Sequence, residues 1–171
     1  MREESQKMEV LIRNARMDEG KLLAEIERKC FPALEAASEE AILERLHTFP
    51  ENFFVAEVDG TVIGFVNGGV TNEAYLPDEM YHNITLHCPN GKYQTVFGLN
   101  VLEEYRRNGI GGKLIRHLVE VSKERGKLGV ILTCKDFRIP FYESLGFTNY
   151  GLSDSAHGNA AWYDMRQYFD M

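Results

Sequence analysis

This chain has little of what several large functional classes require. Only three of its 171 residues are cysteine, Cys30, Cys88 and Cys134, and no two stand at a metal-ligand spacing such as C-x-x-C. An odd, scattered set of thiols excludes a disulfide framework and fits a reduced, cytoplasmic protein. The five histidines are scattered too. His82 and His87 lie five apart, not at the i, i+4 separation that puts two imidazoles on one helix face, so no metal site is expected. No apolar run approaches the roughly 18 residues of a membrane-spanning helix, and the opening MREESQKMEV has no apolar signal core. Basic residues are outnumbered, 19 Lys and Arg against 26 Asp and Glu, for a formal net charge of −7. Phosphate backbones attract the opposite balance, so neither nucleic acid nor membrane is an expected partner. A small cation is compatible with the acidic surface, which would draw it in over distance.

What is present suffices for one compact domain spanning residues 1–171: 44% of the chain is apolar. Residues 8–13 alternate as a first strand. A helix is expected over 18–29, with Leu22, Leu23, Ile26 and Cys30 on one face. Ser38 followed by Glu39 and Glu40 marks a second helix start, because a side-chain oxygen and early carboxylates satisfy a helix N-terminus. Strands at 53–58 and 61–70 are joined by Asp59-Gly60, a strong two-residue hairpin signal. Residues 71–93 contain Pro77, Pro89, Asn90 and Gly91 and read as a surface excursion, with one short strand at 84–87. A buried strand follows at 95–101, a helix at 109–126 and an apolar strand at 128–133. A short helix at 139–145 is stopped by Gly146, and strands at 147–150 and 160–166 close the chain. The order βααβββαβαββ implies an α/β fold, a mixed central sheet flanked by helices.

The most informative stretch is Val96-Phe97-Gly98-Leu99-Asn100-Val101, continued by Arg106-Arg107-Asn108-Gly109-Ile110-Gly111-Gly112. A buried strand runs into a glycine-rich turn that opens a helix. Helix starts leave backbone N–H groups unpaired and partly positive, and glycine lets an anion approach them. The spacing fails the phosphate-loop pattern G-x-x-x-x-G-K-[ST]. It also fails G-x-G-x-x-G, whose last position, counted from Gly109, falls on Leu114. Ordinary nucleotide readings are therefore disfavoured. Charge supports an anion site: residues 106–127 hold seven basic side chains against Glu120 and Glu124 alone. The plain alternative is a glycine turn followed by a solvated basic face.

Arg106-Arg107-Asn108-Gly109-Ile110-Gly111 resembles the [QR]-x-x-G-x-[GA] motif of the GNAT N-acetyltransferase superfamily. Ile139-Pro140-Phe141-Tyr142-Glu143-Ser144-Leu145-Gly146-Phe147 is similar to that superfamily's A-x-x-F-Y-x-x-x-G-F ending. Residues 64–70, 84–89, 98–101 and 140–142 together resemble its arylalkylamine (serotonin) N-acetyltransferase branch, over most of residues 10–150. Vertebrate members of that branch carry two histidines on the central strand, where this chain has Thr95 and Phe97.

The resemblance implies acetyl-coenzyme A as cosubstrate and no metal. It implies a turn, Arg106 to Gly112, that binds the pyrophosphate through its amides, and a strand, Leu99, Asn100 and Val101, that lies along the pantetheine arm. Phe137, Phe141 and Tyr142 belong to the same cofactor side. Tyr142 is the expected acid, donating to the departing thiolate, since a free thiol titrates near ~8.5. A backbone N–H near residues 99–101 is the expected stabiliser of the oxyanion. For amine deprotonation the choices are a water chain, Glu35, Glu73 or His87, with the water chain preferred. Cys134 reads as a structural thiol rather than a relay. Phe31, Tyr75, Tyr81, Tyr93, Phe97 and Trp162 are candidate walls for the acceptor. The expected activity is transfer of acetyl to a primary amine of a small molecule, an arylalkylamine or polyamine. Protein lysine or N-terminal acetylation and a non-catalytic acyl-coenzyme A sensor stand as alternatives, and a homodimer is compatible with all three.

Overall fold

A computed structural model describes residues 8–155 and 157–170. The polar stretch 1–7 lies outside them. The chain opens with β1 (Leu11–Asn14), α1 (Gly20–Cys30) and α2 (Glu39–Thr48), followed by β2 (Phe53–Val58) and β3 (Thr61–Asn67). The Ser38 hydroxyl caps α2 as expected, accepting from the Ala41 N–H at 3.1 Å. Asp59 and Gly60 both take positive φ, 52° and 80°, and turn β2 into β3 as a tight antiparallel hairpin.

The excursion at 71–93 differs from expectation. The expected strand at 61–70 breaks after Asn67, its last residue opening β4 (Val70–Thr71); the excursion then holds a single helical turn α3 (Glu79–His82) and, in place of the expected strand, a 3-10 turn at Ile84–Leu86. The cause is local. The Asn83 side chain accepts from the Thr85 N–H at 3.2 Å and the Thr85 hydroxyl at 2.5 Å, which favours a turn over a ladder.

The expected strand at 95–101 is divided into β5 (Tyr93–Thr95) and β6 (Gly98–Val101). The remainder is α4 (Ile110–Glu124), β7 (Gly129–Cys134), α5 (Ile139–Ser144), β8 (Thr148–Leu152) and β9 (Tyr163–Tyr168). α5 ends as predicted: Gly146, at φ 98°, donates to the Glu143 carbonyl while Phe147 donates to that of Tyr142.

The mixed α/β architecture is thus borne out, but the central sheet is split into two. Four strands are ordered β1-β2-β3-β6 and five are ordered β4-β5-β7-β9-β8, with β5 and β7 parallel. One face of the first sheet packs on α1 and α2 through Leu23, Ile26, Ile42, Leu46, Phe53 and Phe65. α4 lies on the other side, against β2, β3, β6 and β7, with Leu114, Ile115 and Leu118 fully buried. Each such side chain contributes about 1.5–3 kcal/mol. One helix therefore clamps both sheets at the point where they separate.

Candidate active site

The separation is made by a change of partner within one residue. Thr95 pairs with Ile131 of β7, and the Val96 N–H still donates to the Ile131 carbonyl at 3.1 Å. The next amide, Phe97, donates at 2.7 Å to Asn67 of β3 instead. From there β6 follows β3 and leaves β7, so their facing edges open into a wedge. Two devices hold the parting. Gly68 admits no side chain, since a Cβ there would lie 1.9 Å from the Thr95 carbonyl oxygen. The buried Gln94 amide donates to the carbonyls of Gly68, Gly69 and Thr95 at 2.9–3.2 Å, tying together the two backbone segments that flank the parting.

Antiparallel alternation sets what the open edge presents. Asn100 opposes Phe65, and the Leu102 N–H donates to Ile63 at 2.9 Å, so the amides of Asn100 and Leu102 face β3. Those of Leu99 and Val101 point the other way, into the wedge. The Val101 carbonyl confirms this orientation: its donors are the Arg106 Nε at 2.8 Å and the Cys30 thiol at 3.5 Å.

At the wedge's mouth, Arg107 and Gly109 adopt left-handed φ of 69° and 76° and turn the chain sharply into α4. No side chain caps this helix. Its first intrahelical bond runs from the Lys113 N–H to the Gly109 carbonyl at 3.1 Å, leaving the amides of Ile110, Gly111 and Gly112 directed out of the helix start. With the helix dipole behind them, such amides can hold an anion.

The wedge is a cleft of about 750 Å³. Of the sequence-predicted residues, Leu99, Val101, Arg106, Arg107, Gly109, Ile110, Gly111, Gly112, Phe137, Phe141 and Tyr142 line it. Asn100 and Asn108 do not. The Asn100 side chain is buried on the α1 side of β6, and Asn108 folds back to donate to the carbonyls of Tyr105 and Arg106, shaping the turn. Burial lifts the Tyr142 phenol well above its usual range, with buried Cys134 adding to the effect, so it stays a proton donor at neutral pH. Burial likewise pushes the Cys134 thiol up to about 12 and raises that of Cys30, so neither supplies a thiolate nucleophile.

The inner end of the cleft is walled by Phe31, Tyr81, Phe97 and Trp162, whereas Tyr75 is exposed and Tyr93 packs edge-on against Tyr168. The Tyr81 hydroxyl lies 3.3 Å from Thr133 Oγ1, and burial carries its pKa up to about 12. The three base candidates separate clearly. Glu35 lines the cleft and is ion-paired with Lys135 at 2.6 Å. Glu73 is exposed and away from it. His87 also lies outside: its Nδ1 accepts from the Val70 N–H at 2.9 Å, its ring packs on Phe49, and burial depresses its pKa. Sequence reasoning missed Glu27, whose carboxylate is buried in the cleft wall and accepts from the Ala37 N–H at 2.9 Å. Its signal was a glutamate within the apolar face of α1, one residue from Ile26.

A family model described as Acetyltransferase (GNAT) family matches residues 21–147. Serotonin N-acetyltransferase of Mesocricetus auratus is 30% identical over 94 residues, 54% of this chain and 44% of that protein. The N-alpha-acetyltransferase of Sulfurisphaera tokodaii is 33% identical over 120 residues, 68% of this chain and 64% of that protein. This chain therefore spans less than two thirds of the length of either relative. Among solved structures, the GphF GNAT-like decarboxylase in complex with isobutyryl-CoA superposes with a TM-score of 0.81 at 20% identity, over 92% of this chain and 98% of that one, a likeness of fold. The matched segment runs from α1 through the parted strands and the bare start of α4 to Gly146-Phe147, and on that match the chain belongs to the acetyltransferase (GNAT) family.

Proposed function

We propose that this chain transfers an acetyl group from acetyl-coenzyme A directly to the primary amine of a small molecule. The observation that carries the reading is the wedge between β6 and β7, which joins an uncapped helix start at its mouth to Tyr142 and an aromatic chamber within. The residues fit coenzyme A: the amides of Ile110, Gly111 and Gly112 for its pyrophosphate, the free edge of β6 for its pantetheine amides. Acetyl-coenzyme A supplies the acyl group as an activated thioester.

The rest is done by the chain. The Leu99 or Val101 N–H, fixed on the open edge, meets the carbonyl oxygen as it gains negative charge. Tyr142 delivers a proton to the departing sulfur, so a thiol leaves. The acceptor nitrogen forms the new C–N bond as the C–S bond breaks, and an ammonium acceptor sheds two protons in all. One is balanced by the thiol and the other passes to solvent. Glu27, a carboxylate buried in the cleft wall, is the group proposed to take the first, directly or through water.

The choice of a small acceptor rests on the roof of the inner chamber. A Cβ on Gly158 would lie 2.5 Å from Glu35 Cγ, so the β8–β9 connection touches the 31–37 loop. The Ser155 hydroxyl ties the same connection to Asp78 at 2.5 Å. These contacts draw the β8–β9 connection onto residues 31–37 and Asp78, which supports a small acceptor over an extended one. The likeness to a protein named N-alpha-acetyltransferase supports a second reading, acetylation of protein N-termini. The two are separated by following thiol release from acetyl-coenzyme A with phenethylamine, tryptamine, spermidine, free amino acids and N-terminal peptides. Release with small amines supports the proposal, and release with peptides alone overturns it. Coenzyme A binding with no release for any amine or peptide points to a sensor.

A further inference from the structure

Arg45 is the buried charge that this chemistry leaves unused. It stands on α2 with 4% of its surface exposed, yet it lines the inner end of the cleft. A guanidinium offers five N–H donors. Only one makes a hydrogen bond among the described residues, Nη2 to the Tyr81 carbonyl at 3.4 Å, near the upper limit for such a contact. Among the described residues no carboxylate reaches it within 4.0 Å, and Glu27 and Glu44 act on it only through space. Its other partner is the Phe97 ring, 4.8 Å from Cζ to the ring centre. Desolvation holds its pKa below the usual arginine value. A cation so buried and so thinly paired is costly unless something else meets it, and the open side of Arg45 is the acceptor chamber.

We propose that Arg45 receives a carboxylate carried by the acceptor, making the preferred acceptor an amino acid or similar amino-carboxylate rather than a simple amine. The inference rests on the transferase reading and narrows it. The chamber presents both signs of charge. Glu27 is a buried carboxylate that can face an ammonium, Glu35 is paired with Lys135, and among the described residues lining the cleft Arg45 is the buried cation. A zwitterion answers both. A polyamine or arylalkylamine answers only one and leaves Arg45 without an anionic partner. Phe31, Tyr81, Phe97 and Trp162 then take the acceptor's side group.

The test compares acceptors that differ only in the carboxylate: phenylalanine with phenethylamine and phenylalaninamide, leucine with isoamylamine, lysine with cadaverine. Each is assayed with wild type, Arg45→Met and Arg45→Lys. Removing one member of a desolvated charge pair typically costs a factor of about 10² in affinity. The expected result is a preference for the acid in at least one set, with its KM raised about 10²-fold in Arg45→Met and partly restored in Arg45→Lys. The KM of the matching amine should stay nearly constant. Calorimetric binding of coenzyme A to each variant verifies that the fold is intact. Preference for the decarboxylated amine or the amide in every set, or an acid preference that survives Arg45→Met, overturns the proposal. Transfer to no acceptor would sink the transferase reading instead. The Arg45 claim is then decided by calorimetry of the same compounds with coenzyme A present, where equal affinity for acid and amine refutes it.

Discussion

Replacing Gly111 by alanine should separate stability from cofactor binding. Gly111 is the second residue of α4, at helical dihedral angles, so alanine there gains about 1 kcal/mol of helix propensity. The added methyl would sit 3.4 Å from Phe141 Cζ and 3.6 Å from Leu99 Cδ2, ordinary contacts that require no rearrangement. For a chain of this size, about 1 kcal/mol corresponds to a rise of roughly 2–4 °C in Tm. Phe141 and Leu99 both line the cleft, so the same methyl enters it beside the first α4 amides, the proposed phosphate cradle. Losing one charge-assisted hydrogen bond, about 1.5–3 kcal/mol, weakens coenzyme A binding about 10- to 100-fold. Scanning calorimetry and titration calorimetry on one preparation read both effects. A variant that loses stability, or that binds coenzyme A as tightly as wild type, would refute the assignment of the cradle. Gly109→Ala gives the contrast. Nothing lies within 4 Å of its Cβ, so only its φ of 76° is penalised, by about 1–2 kcal/mol, and Tm should fall.

Tyr142→Phe keeps the packing of a buried ring and removes the proposed acid, so kcat should drop about 10²-fold or more while coenzyme A affinity holds in titration calorimetry. Cys134→Ala tests direct transfer: with its thiol pushed up to about 12, its removal should leave kcat within a few-fold of wild type, and loss of turnover with an intact fold would revive a relay. His87 gives a pH signature. Its pKa is depressed in the fold, so its contribution is present above the unfolded value near 6.5 and is lost as pH falls through the folded value. Urea denaturation from pH 7.5 to 5 should show declining stability, with a shallower decline in His87→Gln.

The anion turn and the Tyr142 segment were legible in the sequence because each is local. Arg106 to Gly112 places its glycines where a strand must turn into a helix, and Gly146 stops the helix bearing Tyr142, whatever the rest of the chain does. The Asp59-Gly60 hairpin and the Ser38 cap were readable for the same reason. What sequence could not show lies between distant segments. Residues 95–101 read as one apolar strand because their pattern is continuous, yet the hydrogen-bond partner changes at Val96–Phe97. That change depends on Gly68 and Gln94, which act on the parting from outside the motif. The family resemblance places Asn100 on the pantetheine strand, and strand alternation turns its side chain to the other face. Glu73 and His87 were candidates by residue type, and tertiary packing leaves both outside the cleft. Glu27 and Arg45 are carried by different helices, and only the packing of α1 and α2 against the parted strands brings both to one chamber. The sequence by itself determined the glycine turn into α4 and the Gly146 stop after Tyr142, through short-range geometry. The tertiary structure decided the wedge and the charges facing the acceptor, because these arise from contacts between segments that no local pattern encodes.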